Sequence, residues 1–121
     1  MSDFGSLIAP RFSMPKLPET TIPAKWMYER LVRSIAEFEK KLDDTEEIGA
    51  RLVTFGTDVF HIQDIGYWGP DIIKFYGVNV GGKPIELIQH YSQLSVLLVA
   101  VPKVSDKPRR IGFELIRQLE K

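Results

Sequence analysis

Histidines are the side chains here that best suit acid–base chemistry, because the imidazole group titrates near neutral pH. The chain has two, His61 and His90, and it has no cysteine, which excludes thiolate metal sites and cysteine nucleophiles. On the strands predicted below, His61 and His90 face opposite sides of the sheet, and Asp64 faces away from His61. We therefore predict no catalytic residue, no metal site and no cofactor, and we regard a histidine general base as the weakest hypothesis.

Known catalytic and nucleotide-binding motifs are also missing from the sequence. It contains no HExxH, GxSxG, P-loop or GxGxxG pattern. The pair Gly81-Gly82 favours a hairpin turn over a phosphate-binding loop.

Polar and aromatic side chains gather on one predicted face of the sheet. Aromatic rings beside amide and ammonium donors can hold a planar or anionic ligand. The same pattern is more typical of an amphipathic sheet face whose polar ends contact a partner chain. The residues are His61, Gln63, Lys74, Tyr76, Gln89 and Tyr91.

A second candidate is the basic segment before the last predicted helix, which contains Lys103, Lys107, Arg109 and Arg110. Free amides at a helix N-terminus attract anions, and positive charge beside them favours a phosphate. The alternative is a solvated basic loop. Within this segment, we predict that Arg109 and Arg110 bind the ligand.

Two helices are predicted around these segments. The first begins near Thr21 and Pro23 and runs to about Asp44, because apolar residues recur at spacings of three and four. That stripe is Tyr28, Leu31, Ile35, Phe38 and Leu42. The second helix spans 110–120. The first 22 residues are proline-rich and are predicted to form a flexible arm, so the domain itself spans 23–121.

Between the helices the apolar period changes to two, which predicts five strands, at 51–55, 58–67, 71–79, 84–91 and 95–101. Short breaks at 56–57, 68–70, 81–82 and 92–93 predict an antiparallel meander, in which each strand pairs with the next. The fold class is therefore α+β, with a long N-terminal helix, a five-stranded antiparallel meander and a C-terminal helix.

A two-residue turn at Gly81-Gly82 places Lys74, Tyr76 and Gln89 on one face of this sheet. Both faces are then largely apolar. The two helices can cover one face, so the other should meet a second subunit or the N-terminal arm, unless the sheet curls strongly around it. A homo-oligomer follows from this reasoning.

The composition excludes some partners. Sixteen basic residues balance sixteen acidic ones, so no net charge attracts the chain to nucleic acid. No segment has the apolar length of a membrane span, and the start of the sequence lacks the features of a secretory signal. We expect a cytoplasmic protein.

Two stretches of the sequence carry a family resemblance. The first is Pro84–Lys103, which contains Ile85-Glu86-Leu87-Ile88-Gln89-His90-Tyr91, and the second is Arg109–Leu115. Together they resemble a small family of uncharacterised bacterial proteins that is classed as a domain of unknown function. The resemblance implies a compact domain and assigns no catalytic or binding residue.

Three functions remain in competition. The first is a non-catalytic, homo-oligomeric domain that binds a small anionic or nucleotide-like ligand. The second is a protein-interaction module, an adaptor or an inhibitor, that uses the N-terminal arm and the first helix. The third is an enzyme with a histidine general base.

Overall fold

The structure is a computed structural model that describes residues 22–53 and 58–120. Within that part the chain forms two helices and one five-stranded antiparallel sheet, so the predicted α+β fold is confirmed. The predicted arm and the predicted turn at 56–57 lie outside the described residues. The elements are α1 (Pro23–Glu39), β1 (Glu46–Leu52), β2 (Val59–Trp68), β3 (Ile72–Asn79), β4 (Pro84–His90), β5 (Val96–Pro102) and α2 (Gly112–Leu119), with a short 3-10 turn at Tyr91–Gln93 before β5.

Helix α1 has 17 residues and is shorter than predicted. It begins at Pro23, whose fixed φ angle suits the first turn of a helix. It ends at Glu39, before the predicted Asp44, and the amides of Lys41 and Leu42 then donate to carbonyls three residues back. Beyond this turn the Asp43 carboxylate accepts hydrogen bonds from the Thr45 amide, at 2.8 Å, and from its hydroxyl, at 2.6 Å. Such a local side-chain bond competes with the helical hydrogen bond and turns the chain toward β1.

The β3–β4 hairpin differs from the prediction by one residue. The loop has three residues, Val80 to Gly82, because the Asn79 amide donates to the Lys83 carbonyl and Gly82 adopts a φ of +81°. A three-residue loop needs this left-handed position, which glycine adopts at little cost. The predicted two-residue turn is therefore wrong, and every residue of β4 faces the side opposite to the one predicted.

The strand order is β4-β3-β2-β1-β5, so the predicted meander holds only from β1 to β4. Strand β5 does not form a hairpin with β4. It pairs along its whole length with β1, from Val96 opposite Leu52 to Pro102 opposite Glu46. The tight turn predicted at 92–93 is instead a 3-10 turn that leads the chain across to the other edge of the sheet.

The link between the two edge strands requires the sheet to curl. Four spacings of about 4.8 Å separate β4 from β5 in the strand order. Residues 91–95 join His90, beside the start of β3, to Val96, beside the end of β1. In a flat sheet these two points would be separated both across the four strand spacings and along the length of the strands. The six Cα–Cα steps from His90 to Val96 span only about 20 Å when fully extended, which is too short for that distance. A flat sheet is therefore excluded, although the described residues leave the sheet unclosed between β4 and β5.

The hydrophobic core lies between α1 and the inner face of the curled sheet. Val32 and Ile35 of α1 are fully buried, as are Ile73 and Phe75 of β3. Ile111 and Leu115 at the second helix join the same cluster. The curl explains how a sheet that is apolar on both sides encloses a core with one layer of helices. The strand positions that alternate with the core positions, such as Lys74 and Tyr76 on β3, form the outer face of the sheet.

Candidate ligand-binding site

The seven predicted binding residues do not form one cluster. Lys74 and Tyr76 lie on the outer face of β3. Gln89 opposes Ile73 and therefore lies on the inner face, so the prediction that it shares a face with Lys74 and Tyr76 is wrong. The cause is the three-residue loop, which shifts β4 by one residue against β3. The other four are His61 on β2, Tyr91 in the 3-10 turn, and Arg109 and Arg110 before α2.

Lys74 already has partners on the outer face. Its ammonium group lies 3.0 Å from a carboxylate oxygen of Glu86 and 5.5 Å from the centre of the Trp68 ring. The hydrogen bond that Lys74 donates to the Glu86 carboxylate raises the pKa of Lys74 above its usual value. An external anion would have to compete with Glu86 for this ammonium group, which argues against a strong anion site here.

Gln89 and Tyr91 contribute to packing at the end of β4. The side-chain oxygen of Gln89 is buried and accepts no hydrogen bond from the described residues. Tyr91 packs against the core cluster, and its ring stacks on His90 with 4.9 Å between ring centres.

The two histidines lie on the same face, which corrects the prediction of opposite faces. His61 pairs with Val78 and His90 pairs with Ile72, and both partners are outer-face positions of β3. Val78 lies six positions after Ile72 on β3, which is about 20 Å along an extended strand. A shared metal ion is still excluded within one chain, but by distance and not by orientation.

Each histidine has a local structural partner. The Nδ1 atom of His61 lies 2.8 Å from a carboxylate oxygen of Glu47, and both side chains are almost fully buried. His90 is exposed; its Nδ1 atom accepts from the Ser92 amide and lies 2.8 Å from the Ser92 hydroxyl, while its Nε2 atom is 3.5 Å from Asp71. Since Nδ1 accepts the amide proton, this arrangement caps the 3-10 turn.

A buried carboxylate fills the place that the sequence suggested for a phosphate. The two oxygens of Glu39 accept hydrogen bonds from the amides of Ile111 and Gly112, at 2.9 and 2.8 Å. These amides lie at the N-terminus of α2, where an anion is stabilised by the helix dipole. Glu39 comes from α1, so the chain supplies its own anion at this point.

The segment before α2 is also fixed by Glu47. One oxygen of this carboxylate faces His61, and the other accepts the Arg109 amide at 3.0 Å. The Arg110 guanidinium donates to the carbonyls of Glu46 and Asp43. The backbone of the segment is therefore held from two sides.

A β-bulge in β2 lies opposite the segment that precedes α2. Ile62 pairs with Gly77 but Asp64 already pairs with Tyr76, so Gln63 is an extra residue. The bulge places Asp64 on the same side of its strand as His61, which corrects the prediction of opposite sides. The apolar alternation breaks at this point, because two polar residues, Gln63 and Asp64, separate the buried Ile62 from the buried Ile65. This break is the signal in the sequence that could have revealed the bulge.

Between the bulge and α2 lies an open groove of about 250 Å³. The Arg109 guanidinium forms no hydrogen bond or ion pair with any described residue, and neither do the side-chain amides of Gln63 and Gln118. Asp64 and Glu114 add two carboxylates to the groove. Its full lining is Gln63, Asp64, Arg109, Arg110, Ile111, Glu114, Leu115 and Gln118.

This groove brings together Arg109 and Arg110 from the prediction with Gln63, which the sequence placed in the other cluster. Sequence reasoning missed Gln118 and Glu114, because the sequence of a helix does not show which strand its side chains will face. It also missed Glu39 and Glu47, whose burial depends on contacts distant in sequence. Among the described residues, no group of three or more acidic or histidine side chains is arranged to hold a metal ion.

Comparison with known proteins supports the family resemblance. A family model described as "Family of unknown function (DUF6173)" matches residues 21–114, and the chain belongs to this family. No curated protein and no solved structure matches the chain. Neither α1 nor α2 is long and apolar enough to cross a membrane.

Proposed function

We propose that this member of the family is a non-catalytic, homo-oligomeric domain that binds a small anionic ligand in the groove between the β2 bulge and α2. The observation that supports this function best is the Arg109 guanidinium. It lines the groove without a partner among the described residues, while its own backbone amide is bonded to the buried Glu47. A cation with a fixed backbone and a free head group is suited to bind a carboxylate or a phosphate.

The other lining residues favour a ligand with more than one polar group. The side-chain amides of Gln63 and Gln118 can donate to the same anion as Arg109. Asp64 and Glu114 accept hydrogen bonds and oppose a second negative group nearby. A compact phosphate ester that carries hydroxyl groups fits both properties, and a nucleotide-like ligand belongs to this class.

The binding hypothesis suits the groove better than catalysis does. Among the described residues its lining has no histidine, serine or tyrosine, and the carboxylates of Asp64 and Glu114 are its candidate bases. His61 is connected to the groove through Glu47 and the Arg109 amide. A cytoplasmic location, where phosphate esters are abundant, is part of this proposal.

An NMR titration tests the function. Amide chemical shifts of the full chain are followed during addition of inorganic phosphate and, separately, of adenosine monophosphate. We expect saturable shifts at Gln63, Arg109 and the first turn of α2. Arg109→Gln should weaken binding about 10- to 100-fold, because it removes a charge-assisted hydrogen bond.

Lys107→Gln is the matched control, since it removes the same charge from the same exposed segment but does not line the groove. It should change affinity by less than about threefold, which corresponds to a screened surface charge. If neither ligand shifts the groove amides, or if both variants weaken binding equally, the groove is not the anion site.

The interaction-module hypothesis is the second candidate. Helix α1 exposes Trp26 by 45%, and exposed tryptophans are typical of protein contacts. The arm itself lies outside the described residues. Removal of residues 1–22 should abolish partner binding under this hypothesis and leave phosphate binding unchanged under the first one.

A further inference from the structure

Strand β5 is an edge strand with an unusual composition. Its sequence is Val96-Leu97-Leu98-Val99-Ala100-Val101-Pro102, and it has no charged residue. Within the described part of the chain it pairs on one side only, with β1. Edge strands of stable monomers usually carry charges, prolines or bulges that prevent pairing with another chain.

The other edge strand, β4, has such protection. It begins with Pro84, it carries Glu86, and Glu86 is held by Lys74 across the strand. In β5 the only proline is at the last position, and the pairing with β1 is regular over all seven residues. The two edges of one sheet therefore differ, and β5 is the one suited to accept another strand.

The hydrogen-bond pattern shows which backbone groups of β5 point outward. At its two ends the Val53 amide donates to Ser95 and the Lys103 amide donates to Thr45, both at 3.0 Å. Odd-numbered residues of β5 therefore bond toward β1. The amides and carbonyls of Val96, Leu98 and Ala100 point away from the sheet.

We propose that β5 pairs with β5 of a second copy of this chain, antiparallel and across a two-fold axis at Val99. This register continues the sheet through both copies, and it is the one that uses the whole strand. Leu98 exchanges both backbone hydrogen bonds with Ala100 of the second copy, and Val96 donates to the carbonyl of Pro102. Pro102 has no amide proton to donate, but in this register its carbonyl accepts the hydrogen bond from Val96 of the second copy.

The side chains agree with a second copy as the occupant. In this register Val99 meets Val99 and Leu97 meets Val101, so that apolar residues face each other on the outer face. Leu97 is 41% exposed in the single chain. On the inner face Leu98 borders a groove with Phe38 of α1, which a second copy would extend. An uncharged strand that is apolar on both faces suits self-pairing, because no like charges meet at the axis.

This inference deepens the homo-oligomeric part of the proposed function. The ligand groove lies at the β2 bulge and not on β5, so the phosphate titration and the experiment below can fail independently of each other.

The test is the oligomeric state of the full chain, measured by sedimentation equilibrium and native mass spectrometry. We expect a dimer. Ala100→Pro removes an outward amide that β1 does not use, and edge positions of this kind tolerate proline. Two lost hydrogen bonds per dimer should weaken it by at least about 30-fold, with unchanged circular dichroism. Ile88→Lys, on the exposed outer face of β4, is the control and should leave the dimer intact.

A charge exchange at the axis keeps the proposal falsifiable if the proline variant does not fold. Val99→Lys and Val99→Glu should each be monomeric, because like charges meet at the two-fold axis, and a mixture of the two should form a heterodimer. A monomeric full chain would overturn the proposal, and a dimer formed only after deletion of residues 1–21 would instead assign the β5 edge to the chain's own N-terminal segment. A dimer that survives all three β5 variants would also refute it.

Discussion

Replacement of Glu39 should destabilise the fold far more than replacement of any exposed glutamate on the same helix. Its carboxylate is the acceptor for two amides, those of Ile111 and Gly112, and the residue is only 8% exposed. Hydrogen bonds to a charged group contribute about 1.5 to 3 kcal/mol each. In Glu39→Gln one amide keeps a carbonyl partner while the other meets an NH₂ donor, so we expect a loss of about 2 to 4 kcal/mol.

Glu37→Gln is the matched control. Glu37 lies on the same helix, its side chain is 71% exposed, and its partner among the described residues is the equally exposed Lys40. Exposed pairs contribute about 0 to 1 kcal/mol, so this variant should be nearly as stable as the parent chain. Urea unfolding followed by circular dichroism measures both variants, and the slope of the transition reports whether α2 remains part of the cooperative unit.

The contrast between the two variants is the decisive result. A total stability of 5 to 15 kcal/mol is usual for a domain, so the expected loss is readily measured. Equal stability of Glu39→Gln and Glu37→Gln would refute the claim that α2 is anchored through this carboxylate. Preserved stability together with a lower slope would mean that α2 detaches without unfolding the sheet.

Three further predictions test other contacts. Gly112→Ala should lower the free energy of unfolding, measured by heat or urea, by about 2 to 3 kcal/mol, because the added Cβ would lie 2.7 Å from the Ala36 Cα. Gly66→Ala is the control and should lower it by less than about 1 kcal/mol, because its Cβ would lie 3.8 Å from a ring atom of Tyr76. His61→Ala removes the ring that faces one oxygen of the buried Glu47 carboxylate, whose other oxygen keeps the Arg109 amide, and should lower the free energy of unfolding by about 3 kcal/mol. His90→Ala at an exposed position should lower it by less than about 1 kcal/mol. The hydrogen bonds from Thr45 lower the pKa of Asp43, so Asp43→Asn should be less stable than the parent chain above pH 4, and the difference should vanish as the pH falls through the lowered pKa.

The sequence located the strands well where the signals are local. Strands β2 to β5 lie within one residue of their predicted positions, because apolar alternation and Gly or Pro breaks mark both ends. Strand β1 was predicted at 51–55 and lies at Glu46–Leu52. Two adjacent glutamates at its start are typical of a loop, but here they pair with Pro102 and Val101 of β5, and Glu47 is buried against His61.

The order of the strands and the candidate site were beyond local signals. A turn-like segment at 91–95 does not reveal whether the chain returns beside β4 or crosses to β1, since that choice depends on the curl of the whole sheet. The register of the β3–β4 hairpin depends on the length of its loop. Because the loop has three residues and not two, Gln89 lies on the inner face. Arg109 and Arg110 were predicted because a basic cluster before a helix is a local sequence pattern. That Gln63 lies opposite them could not be predicted, because it depends on how α2 packs against β2.

The arrangement of buried carboxylates shows why Arg109 differs from the other basic residues near α2. Glu39 accepts from the Ile111 and Gly112 amides, and Glu47 accepts from the Arg109 amide. The Arg110 guanidinium donates to three backbone carbonyls. Each of these groups is therefore used in joining α2 and the segment before it to α1 or to the sheet. Because the chain has neutralised its helix N-terminus internally, an external anion gains nothing from the dipole there, and its attraction must come from the side chains of the groove. Affinity should therefore depend on Arg109 and on ionic strength, and removal of the Glu114 carboxylate from the groove should strengthen it.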